Sequence, residues 1–468
     1  MDYDVLIIGS GPAGQQAAWQ AARMGRRAAI IERKPRLGGA GLQTGTIPSK
    51  AMREVAYLLS RSGYGGMRQA LAPDGVNRHG LLADAVRRKE MVIAQQESVI
   101  LQRLLRSGVA LIPGEAAFVD AHTMQVTDAG GNFRKISAGV VVLATGSRPR
   151  RPPDVPFDKK TVLDSTSILN LRHLPDSLTV VGGGVIACEF VSIFAALGVR
   201  VSVVDSHAQL LEYLSEDVVG VLADSFLGMG VTFHMRERVK EIRREGNATL
   251  TVLESGTQIS SDAVLYAQGR QPNSEKLHVE NAGIIAEGGW IAVNRHYQAS
   301  MPHIYAVGDL IGRPALASTG MEQGRAAVLH AFGGEQHVTA ENLPMAVYTI
   351  PEISYVGKTE KEVQHEGIPY LIGRALFKDS ARGQIIGDAQ GMLKLIVDAR
   401  DEKLLGVHIV GEQASELIHI GQLVMNFHGS VRDLVSNVFN YPTLAECYKL
   451  AAMDCMSRLK QQNSQPRH

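Results

Sequence analysis

One pattern of glycines and an acid occurs twice in the chain and limits the folds open to it. Gly9, Gly11 and Gly14 form G-x-G-x-x-G directly after an apolar segment, and Glu32 follows Gly9 by 23 residues. This order is typical of a buried parallel strand, a tight turn and a helix. The glycines let the backbone approach a pyrophosphate, and the acid accepts hydrogen bonds from a ribose.

The second copy of the pattern has the same spacing. Gly182 and Gly184 take the first two positions, Ala187 takes the third, and Asp205 follows Gly182 by 23 residues. Alanine is allowed at the third position. Equal spacing in both copies predicts two dinucleotide sites, with a phosphate at each helix N-terminus, rather than two glycine turns in a plain α/β protein.

Apolar spacing predicts further elements along the chain. Strands are expected at residues 4–9, 27–31, 140–144, 178–181 and 304–309, and helices at residues 11–24 and 81–105. The charged helix at 81–105 is interpreted as a solvated surface helix. A strand at 263–269 is expected to return to the first domain.

Composition excludes several classes of protein. A length of 468 residues predicts two to four domains, and a net charge of +1 indicates neither a nucleic-acid nor a membrane partner. Three cysteines argue against a disulfide framework and fit a reducing compartment. The sequence shows no signal peptide, no apolar run of about 18 residues and no metal-ligand pattern, so we expect a cytoplasmic protein without a metal site.

A proline-rich segment, residues 147–158, predicts a domain crossing because proline cannot occupy helix or sheet interiors. Its three arginines, Arg148, Arg150 and Arg151, are expected to be solvated linker charges. From about residue 346 the pattern changes to shorter strands and amphipathic helices, which predicts a third domain of α+β type.

Further motifs complete a known set. The chain has ATG at residues 144–146, YAVGD at 305–309 and IPSK at 47–50. With the two glycine motifs, these resemble the pyridine nucleotide–disulfide oxidoreductases, flavoproteins such as dihydrolipoamide dehydrogenase and glutathione reductase. The resemblance covers essentially the whole chain. It implies an FAD domain (1–150 and 270–340), an inserted NAD(P) domain (151–269) and a C-terminal dimerisation domain (341–468).

The resemblance also implies roles for individual residues. Asp309 would hold the ribityl chain of FAD, and the helix after Leu316 would point its N-terminus at the flavin. The cofactor-binding positions implied for FAD and NAD(P) are Gly9, Gly11, Gly14, Glu32, Gly39, Gly41, Lys50, Gly146, Gly182, Gly184, Ala187, Glu189, Asp205, Gly269, Asp309 and Ala317.

The thiol groups of the disulfide-using members are missing from this chain. Gly41 and Thr46 stand where those members carry their two redox cysteines, and neither residue can form a thiolate. Tyr441 stands at the position of their catalytic histidine, and a phenol suits thiol protonation poorly. Cys188, Cys447 and Cys455 are expected to be small core residues.

Four residues remain as catalytic candidates. Lys50 and Glu189 are implied to form an ion pair beside the flavin N5, with Lys50 tuning the flavin and Glu189 positioning the nicotinamide. The alternative for Lys50 is a solvated lysine at a helix start. Tyr441 either gates the vacated pocket or fills it, and with Glu446 it is implied to act across a homodimer interface, with higher assembly left open.

Two segments, GTIPSK at residues 45–50 and FNYPTLAE at 439–446, resemble the soluble transhydrogenase branch of the family. That branch commonly keeps one cysteine where this chain has Gly41, a departure that leaves the assignment standing because one cysteine cannot form a disulfide. The hypothesis is a ping-pong reaction in which NADPH gives a hydride to FAD and NAD+ then takes it from the same site. The alternatives are a quinone or dye reductase and a flavin-bearing structural protein.

The preference between the two nucleotides stays open at this stage. Asp205 favours the free ribose diol of NAD(H), because a 2′-phosphate would face a carboxylate. His207 and Arg200 are the two cations considered for offsetting that repulsion.

Overall fold

The computed structural model describes residues 1–62, 78–334 and 342–464. Its strands, in chain order, are β1 Tyr3–Ile8, β2 Ala28–Glu32, β3 Ala110–Pro113, β4 Glu115–Phe118, β5 Thr123–Thr127, β6 Phe133–Leu143, β7 Ser147–Pro149, β8 Val162–Leu163, β9 Ser177–Val181, β10 Arg200–Asp205, β11 Thr232–Met235, β12 Val239–Glu245, β13 Ala248–Leu253, β14 Gln258–Ser261, β15 Ala263–Tyr266, β16 Arg270–Pro272, β17 Ala286–Glu287, β18 Trp290–Ile291, β19 Ile304–Ala306, β20 Met345–Val347, β21 Glu352–Gly357, β22 Tyr370–Leu376, β23 Met392–Asp398 and β24 Leu404–Gly411. Its helices are α1 Pro12–Arg23, α2 Gly39–Gln43, α3 Thr46–Ser62, α4 Arg78–Arg106, α5 Val185–Ala196, α6 Glu216–Gly228, α7 Ala317–Ala331, α8 Glu360–His365, α9 Ala381–Ile386, α10 Ala414–Asn426, α11 Val431–Ser436 and α12 Glu446–Ser464.

The chain divides into two compact units, each assembled from three segments. The first unit comprises Met1–Met52, Asn77–His173 and Ala267–Val338, and the second comprises Arg53–Val76, Leu174–Tyr266 and Thr339–His468. The division by cofactor at residues 150, 269 and 340 stays a prediction.

The first unit is built on a parallel sheet with the order β3-β2-β1-β6-β19. The long strand β6 leaves this sheet at its N-terminal end and pairs antiparallel with β5, which pairs with β4. Both faces of the parallel sheet are covered. Val5 and Ile7 pack with Ala17 of α1, while Leu6 and Ile8 belong to the core on the opposite face. Burial on both faces explains the uninterrupted apolar sequence of β1.

The second unit contains a parallel sheet with the order β11-β10-β9-β15 and an antiparallel meander of β12, β13 and β14. The strand predicted at residues 263–269 was wrongly expected to return to the first domain. The strand formed there, β15, pairs with β9 inside this sheet, so it belongs to the second unit. Only the residues after Tyr266 belong to the first unit.

The C-terminal part of the second unit is an antiparallel sheet with the order β20-β21-β24-β23-β22. Helices α10 and α12 contribute to the core against it. Tyr448 of α12 ties the two helices together, because its hydroxyl donates to Leu417 O at 2.9 Å and accepts from Gly421 N at 3.1 Å. This mixed α+β arrangement agrees with the change of pattern expected near residue 346.

Two sequence-based interpretations need correction. Helix α4 is amphipathic as predicted, yet its buried face includes Lys89, whose ammonium donates to Leu169 O at 2.7 Å. Two of the three linker arginines are also paired rather than merely solvated: Arg151 contacts the buried Asp164 at 2.5 Å, and Arg148 contacts Glu275 at 2.9 Å. Among the described helices, none combines the length and apolar character needed to cross a bilayer.

Candidate active site

The first glycine turn connects β1 to α1 through contacts that admit no side chain. Gly9 has φ of +107°, and a Cβ there would lie 2.5 Å from Ala144 O. A Cβ on Gly14 would lie 2.0 Å from Gly9 O. Gly11 caps α1 without a side-chain hydrogen bond, so the first turn keeps donors available for an anion.

The predicted acid of this turn, Glu32, accepts hydrogen bonds from Ser10, which occupies an x position of the G-x-G-x-x-G motif. Glu32 Oε2 accepts from the amide of Ser10 at 2.9 Å and from its hydroxyl at 2.6 Å. The same hydroxyl accepts from the amide of Gly38 at 3.1 Å. Fully buried Ser10 therefore links the glycine turn, Glu32 and the backbone at Gly38. Sequence analysis missed it because an x position in G-x-G carries no signal.

The predicted ribityl residue lies in a second polar cluster of the first unit. Asp309 Oδ2 accepts from the hydroxyl of Ser147 at 2.7 Å. Arg270 donates to the same hydroxyl oxygen at 2.7 Å and to Ser147 O at 2.8 Å. Burial lowers the pKa of Arg270, and the Asp309 carboxylate opposes that shift. Sequence analysis missed both partners, although Ser147 lies directly after the ATG motif.

The remaining cofactor-binding positions expected in the first unit lie on turns and at helix starts. Gly39 has φ of +58°, Gly146 of +67° and Gly269 of +86°, values that favour glycine. Gly41 lies in α2, where a Cβ would come within 2.9 Å of Pro12 Cγ. Ala317 is the first residue of α7, as expected from the resemblance.

The second glycine turn repeats the geometry of the first. Gly182 has φ of +122°, and Gly184 caps α5 without a side-chain hydrogen bond. A Cβ on Gly184 would meet no atom within 4 Å, so the cradle at this helix start is open. Asp205 Oδ2 accepts from Gly183 N at 2.5 Å, which is the contact that Glu32 makes with Ser10 N. Ala187 is buried in the first turns of α5.

A histidine covers the second acid. The Nδ1 atom of His207 lies 2.6 Å from Asp205 Oδ1, and its Nε2 atom lies 3.2 Å from Glu212 Oε2. The amide of Arg236 donates to His207 O at 3.0 Å, which places this residue beside the histidine. Arg200 begins β10, five residues before Asp205 and about 16 Å from it at roughly 3.3 Å per residue. Of the two residues considered for offsetting the charge of Asp205, His207 is the one in contact with it.

Glu189 lies on α5 and is 5% exposed. Its Oε1 atom accepts a hydrogen bond from the amide of Tyr348 at 3.0 Å. Lys50 lies on α3, with Nζ 3.4 Å from Ser49 Oγ. Because these two candidates belong to different units, their ion pair stays a prediction.

The segment that carries the Tyr348 amide is itself held by two residues of the second unit, Arg53 and Ser225. Arg53 of α3 donates to Thr349 O at 3.1 Å and lies 3.4 Å from Glu352 Oε1. Ser225 of α6 donates to Ile350 O at 3.2 Å. These contacts fix the backbone on which the Glu189 hydrogen bond depends.

The three cysteines are core residues, as expected. Cys188, Cys447 and Cys455 are fully buried and form no disulfide. Burial raises the pKa of the Cys447 thiol to about 11 and of the Cys455 thiol to about 12, and it also raises the pKa of Cys188. Such thiols supply little thiolate at neutral pH. Thr46 is the first residue of α3, at the place of the missing second cysteine.

The remaining candidates lie near the C-terminus. Tyr441 is 72% exposed in the single chain, and Glu446 is the first residue of α12. The ring of Tyr441 therefore does not fill a pocket within its own chain, which was one of the two roles considered for it. Its gating role, and the role of Glu446, stay predictions. In the part of the chain that the structure describes, no group of three or more His, Cys, Asp or Glu side chains could hold a metal ion.

Comparison with known families decides the assignment. A family model described as pyridine nucleotide-disulphide oxidoreductase matches residues 3–324, and the dimerisation-domain model of the same family matches residues 343–452. The chain belongs to this oxidoreductase family. It therefore carries the family's dimerisation domain, and the fold expected from the sequence, two Rossmann-like domains followed by an α+β domain, is confirmed.

Relatives within the oxidoreductase family match over the full length. A soluble pyridine nucleotide transhydrogenase from Mycobacterium bovis (strain BCG / Pasteur 1173P2) is 45% identical over 471 residues, 99% of each chain. One from Pseudomonas putida (strain W619) is 40% identical over 462 residues, 98% of this chain and 99% of the relative.

Solved structures support the same family fold. The crystal structure of LpdA from Mycobacterium tuberculosis superimposes with a TM-score of 0.88 at 29% identity, covering 96% of this chain and 98% of that chain. The HOCl-induced flavoprotein disulfide reductase RclA from Escherichia coli gives a TM-score of 0.86 at 28% identity, covering 96% and 99%.

The residues present fit the two cofactors that this oxidoreductase family binds, FAD and NAD(P). Each glycine turn ends at a helix start that no side chain caps by a hydrogen bond, and the acid that follows each turn accepts a hydrogen bond from a backbone amide of that turn. The cluster of Asp309, Ser147 and Arg270 adds hydrogen-bonding polar groups in the same unit as the first turn.

Proposed function

We propose that this protein is an FAD-dependent transhydrogenase that moves a hydride between NADPH and NAD+. The observation that carries this proposal is the 45% identity over 99% of the chain to a soluble pyridine nucleotide transhydrogenase. The site residues agree with it. Gly41 and Thr46 replace the redox cysteines, so the chain has no dithiol at this place that could accept electrons from the flavin.

The first glycine turn binds FAD and the second binds the nicotinamide nucleotides. Gly11 and Gly184 leave their helix starts open to a pyrophosphate, and Glu32 and Asp205 accept hydrogen bonds from the ribose hydroxyls. Bound FAD supplies a two-electron centre that accepts a hydride and returns it to a second nucleotide.

Two charged residues orient the reacting groups. Glu189, held by the Tyr348 amide, positions the nicotinamide, and Lys50 places a positive charge near the flavin N5. The protein needs no nucleophile of its own, which agrees with the burial of all three thiols.

His207 lets one site accept both nucleotides. Its ring lies against the Asp205 carboxylate and offsets the charge that a 2′-phosphate would otherwise face. When NAD(H) binds, the ring gives way and Asp205 accepts hydrogen bonds from the free diol.

The active form is a homodimer in the cytoplasm, acting on small nicotinamide nucleotides and on neither nucleic acid nor membranes. The dimerisation-domain match supports the dimer, and the exposed ring of Tyr441 provides a surface that a second copy would cover. In that assembly Tyr441 and Glu446 would reach the partner's site. Sedimentation at low micromolar concentration should give about twice the 50.5 kDa chain mass, and a monomer of full activity would refute the dimer.

Steady-state kinetics test the proposed function. With NADPH and a thio-NAD+ analogue varied together, a single shared site gives parallel double-reciprocal lines. Intersecting lines would refute the shared site. A turnover with quinone far above the turnover with NAD+ would replace the transhydrogenase proposal by a quinone reductase.

A further inference from the structure

Lys394 of β23 is a fully buried lysine with two carboxylate partners. Its ammonium lies 3.0 Å and 2.9 Å from the two carboxylate oxygens of Asp217, and it also contacts Glu360. A buried charge of this kind persists only when it is paired, and removing one partner leaves the other uncompensated. Asp217 comes from α6, which follows the second glycine turn, whereas Lys394 comes from the C-terminal sheet.

The lysine is part of a row of polar side chains across four strands of that sheet. Tyr355 pairs with His408, His408 with Lys394, and Lys394 with Arg374, so all four project from the same face at one level. Arg374 also donates to Asp217 Oδ2 at 3.0 Å. The row therefore presents two cations to one carboxylate on α6.

Asp217 lies in the first turn of α6, directly after the loop that carries His207 and Glu212. The segment from Asp205 to the start of α6 includes His207 and Glu212, and its midpoint is tied to the second glycine turn, where Leu211 N donates to Gly183 O at 2.9 Å. The far end of the segment is tied to the sheet through Asp217. These two contacts together hold the loop between the glycine turn and the C-terminal sheet.

We propose that Asp217, held by Lys394 and Arg374, is a positioning residue for nicotinamide-nucleotide binding. The ion pairs set the position of the α6 start and thereby the placement of Asp205, His207 and Glu212. This inference rests on the proposed function, because it takes the second glycine turn to be the nucleotide site. If it is correct, nucleotide affinity also depends on residues that are distant in sequence from the glycine motif.

The chain supplies a matched control one residue away. Glu216 on α6 lies 3.8 Å from Lys361 on α8, and both side chains are exposed. An exposed pair of this length contributes little. Glu216→Gln therefore removes a charge from the same helix start without touching Lys394, while Asp217→Asn removes a partly buried carboxylate partner of the buried Lys394 and Arg374→Gln removes only the second, exposed cation of Asp217.

The test measures dissociation constants for NADPH and NAD+ by calorimetry on the FAD-loaded protein, together with KM and kcat. Asp217→Asn should raise both dissociation constants and both KM values about tenfold, with kcat at saturation and FAD content retained, because a misplaced loop weakens binding. Arg374→Gln should raise them about threefold, and Glu216→Gln should leave them unchanged.

Two results would overturn the inference: unchanged dissociation constants in folded Asp217→Asn, or an equal rise in Glu216→Gln. If Asp217→Asn does not fold, Arg374→Gln decides, and unchanged constants there have the same meaning. Failure of the proposed function is recognised separately, since wild-type protein would then bind nucleotide without transhydrogenation or would not bind it at all.

Discussion

The backbone amide of Tyr348 donates a hydrogen bond of 3.0 Å to the Glu189 carboxylate. A main-chain donor cannot rotate away, so the carboxylate has a fixed orientation as long as the segment at residues 348–352 is held. Arg53 and Ser225 hold that segment through Thr349 O and Ile350 O. Glu189 thus owes its position to a part of the chain about 160 residues away in sequence, which the nucleotide motif does not include.

Glu189→Gln should lower the transhydrogenation rate by roughly ten- to a hundredfold while FAD stays bound. Glutamine keeps an acceptor for the Tyr348 amide but loses the charge that orients the nicotinamide. Stopped-flow measurement of the reaction with NADPH checks this. Ser192→Ala, which removes a hydrogen bond to the main-chain oxygen of Glu189, is the control and should keep the rate. A full rate in Glu189→Gln would end the proposed role.

Ser10→Ala should weaken FAD retention and lower the free energy of unfolding by about 1–3 kcal/mol. The buried Gly38 amide would lose its acceptor, and Glu32 would lose its shorter hydrogen bond. Thermal melts and the FAD-to-protein ratio after gel filtration measure both effects. Ser137→Ala removes an exposed hydroxyl contact with Asp2 and should change neither quantity. Equal melts for the two variants would contradict the assignment of Ser10.

Two variants should move nucleotide preference in opposite directions. Asp205→Ala should raise kcat/KM for NADPH relative to NADH by about tenfold, because the carboxylate facing the 2′-phosphate is gone. His207→Ala should lower the same ratio, because the ring no longer offsets Asp205. The ratio is measured at constant ionic strength with thio-NAD+ as acceptor. An Asp205→Ala protein that favours NAD(H) more strongly than wild type would refute this account.

Thiol reagents should not inhibit the native protein. Burial raises the pKa of Cys447 to about 11 and of Cys455 to about 12, so at pH 8 both remain protonated, and only the thiolate reacts. Titration with an aromatic disulfide at pH 8 should detect none of the three thiols in native protein and all three after denaturation. Rapid reaction of one thiol with loss of activity would show that thiol chemistry had been wrongly excluded.

Asp217→Asn should destabilise the protein by about 1–3 kcal/mol at pH 7, because the buried Lys394 loses one of its two carboxylate partners and keeps Glu360. Burial opposes ionisation of Asp217, but Lys394 and Arg374 outweigh it and lower its pKa in the folded state. A depressed carboxyl pKa stabilises the fold above the unfolded value of 3.8, and this stabilisation is lost as the pH falls below it.

The difference in unfolding free energy between wild type and Asp217→Asn should therefore stay constant near neutral pH and shrink as the pH falls below 3.8. Chemical denaturation at several pH values measures it. A difference that is constant with pH would mean that the pair is not ionised in the folded protein.

The two glycine turns could be predicted because their requirements are local. Positive φ at Gly9 and Gly182 and the close contact of Gly14 arise within a few residues of sequence. The partners of the predicted acids could not be predicted in the same way. Ser10 occupies an unspecified motif position, and Tyr348 reaches Glu189 only through the folding of a distant segment.

The ion-pair partners of the charged side chains were the least predictable feature of the structure. The linker arginines were expected to be solvated because their local sequence is polar and proline-rich, yet Arg151 meets Asp164, thirteen residues away, and Arg148 meets Glu275. The buried Lys394 gave no sequence signal, since its partners come from α6 and α8. Ion pairs between distant segments depend on tertiary structure, and periodicity does not encode them.

The most direct test of the central claim is anaerobic reduction of the purified protein by NADPH, followed by addition of NAD+. A transhydrogenase without redox thiols should show bleaching of the flavin absorbance without a long-wavelength thiolate band, then its return on addition of NAD+ with an equivalent amount of NADH formed. Bleaching that NAD+ does not reverse but a quinone does would contradict transhydrogenation and leave a quinone reductase built on the same site.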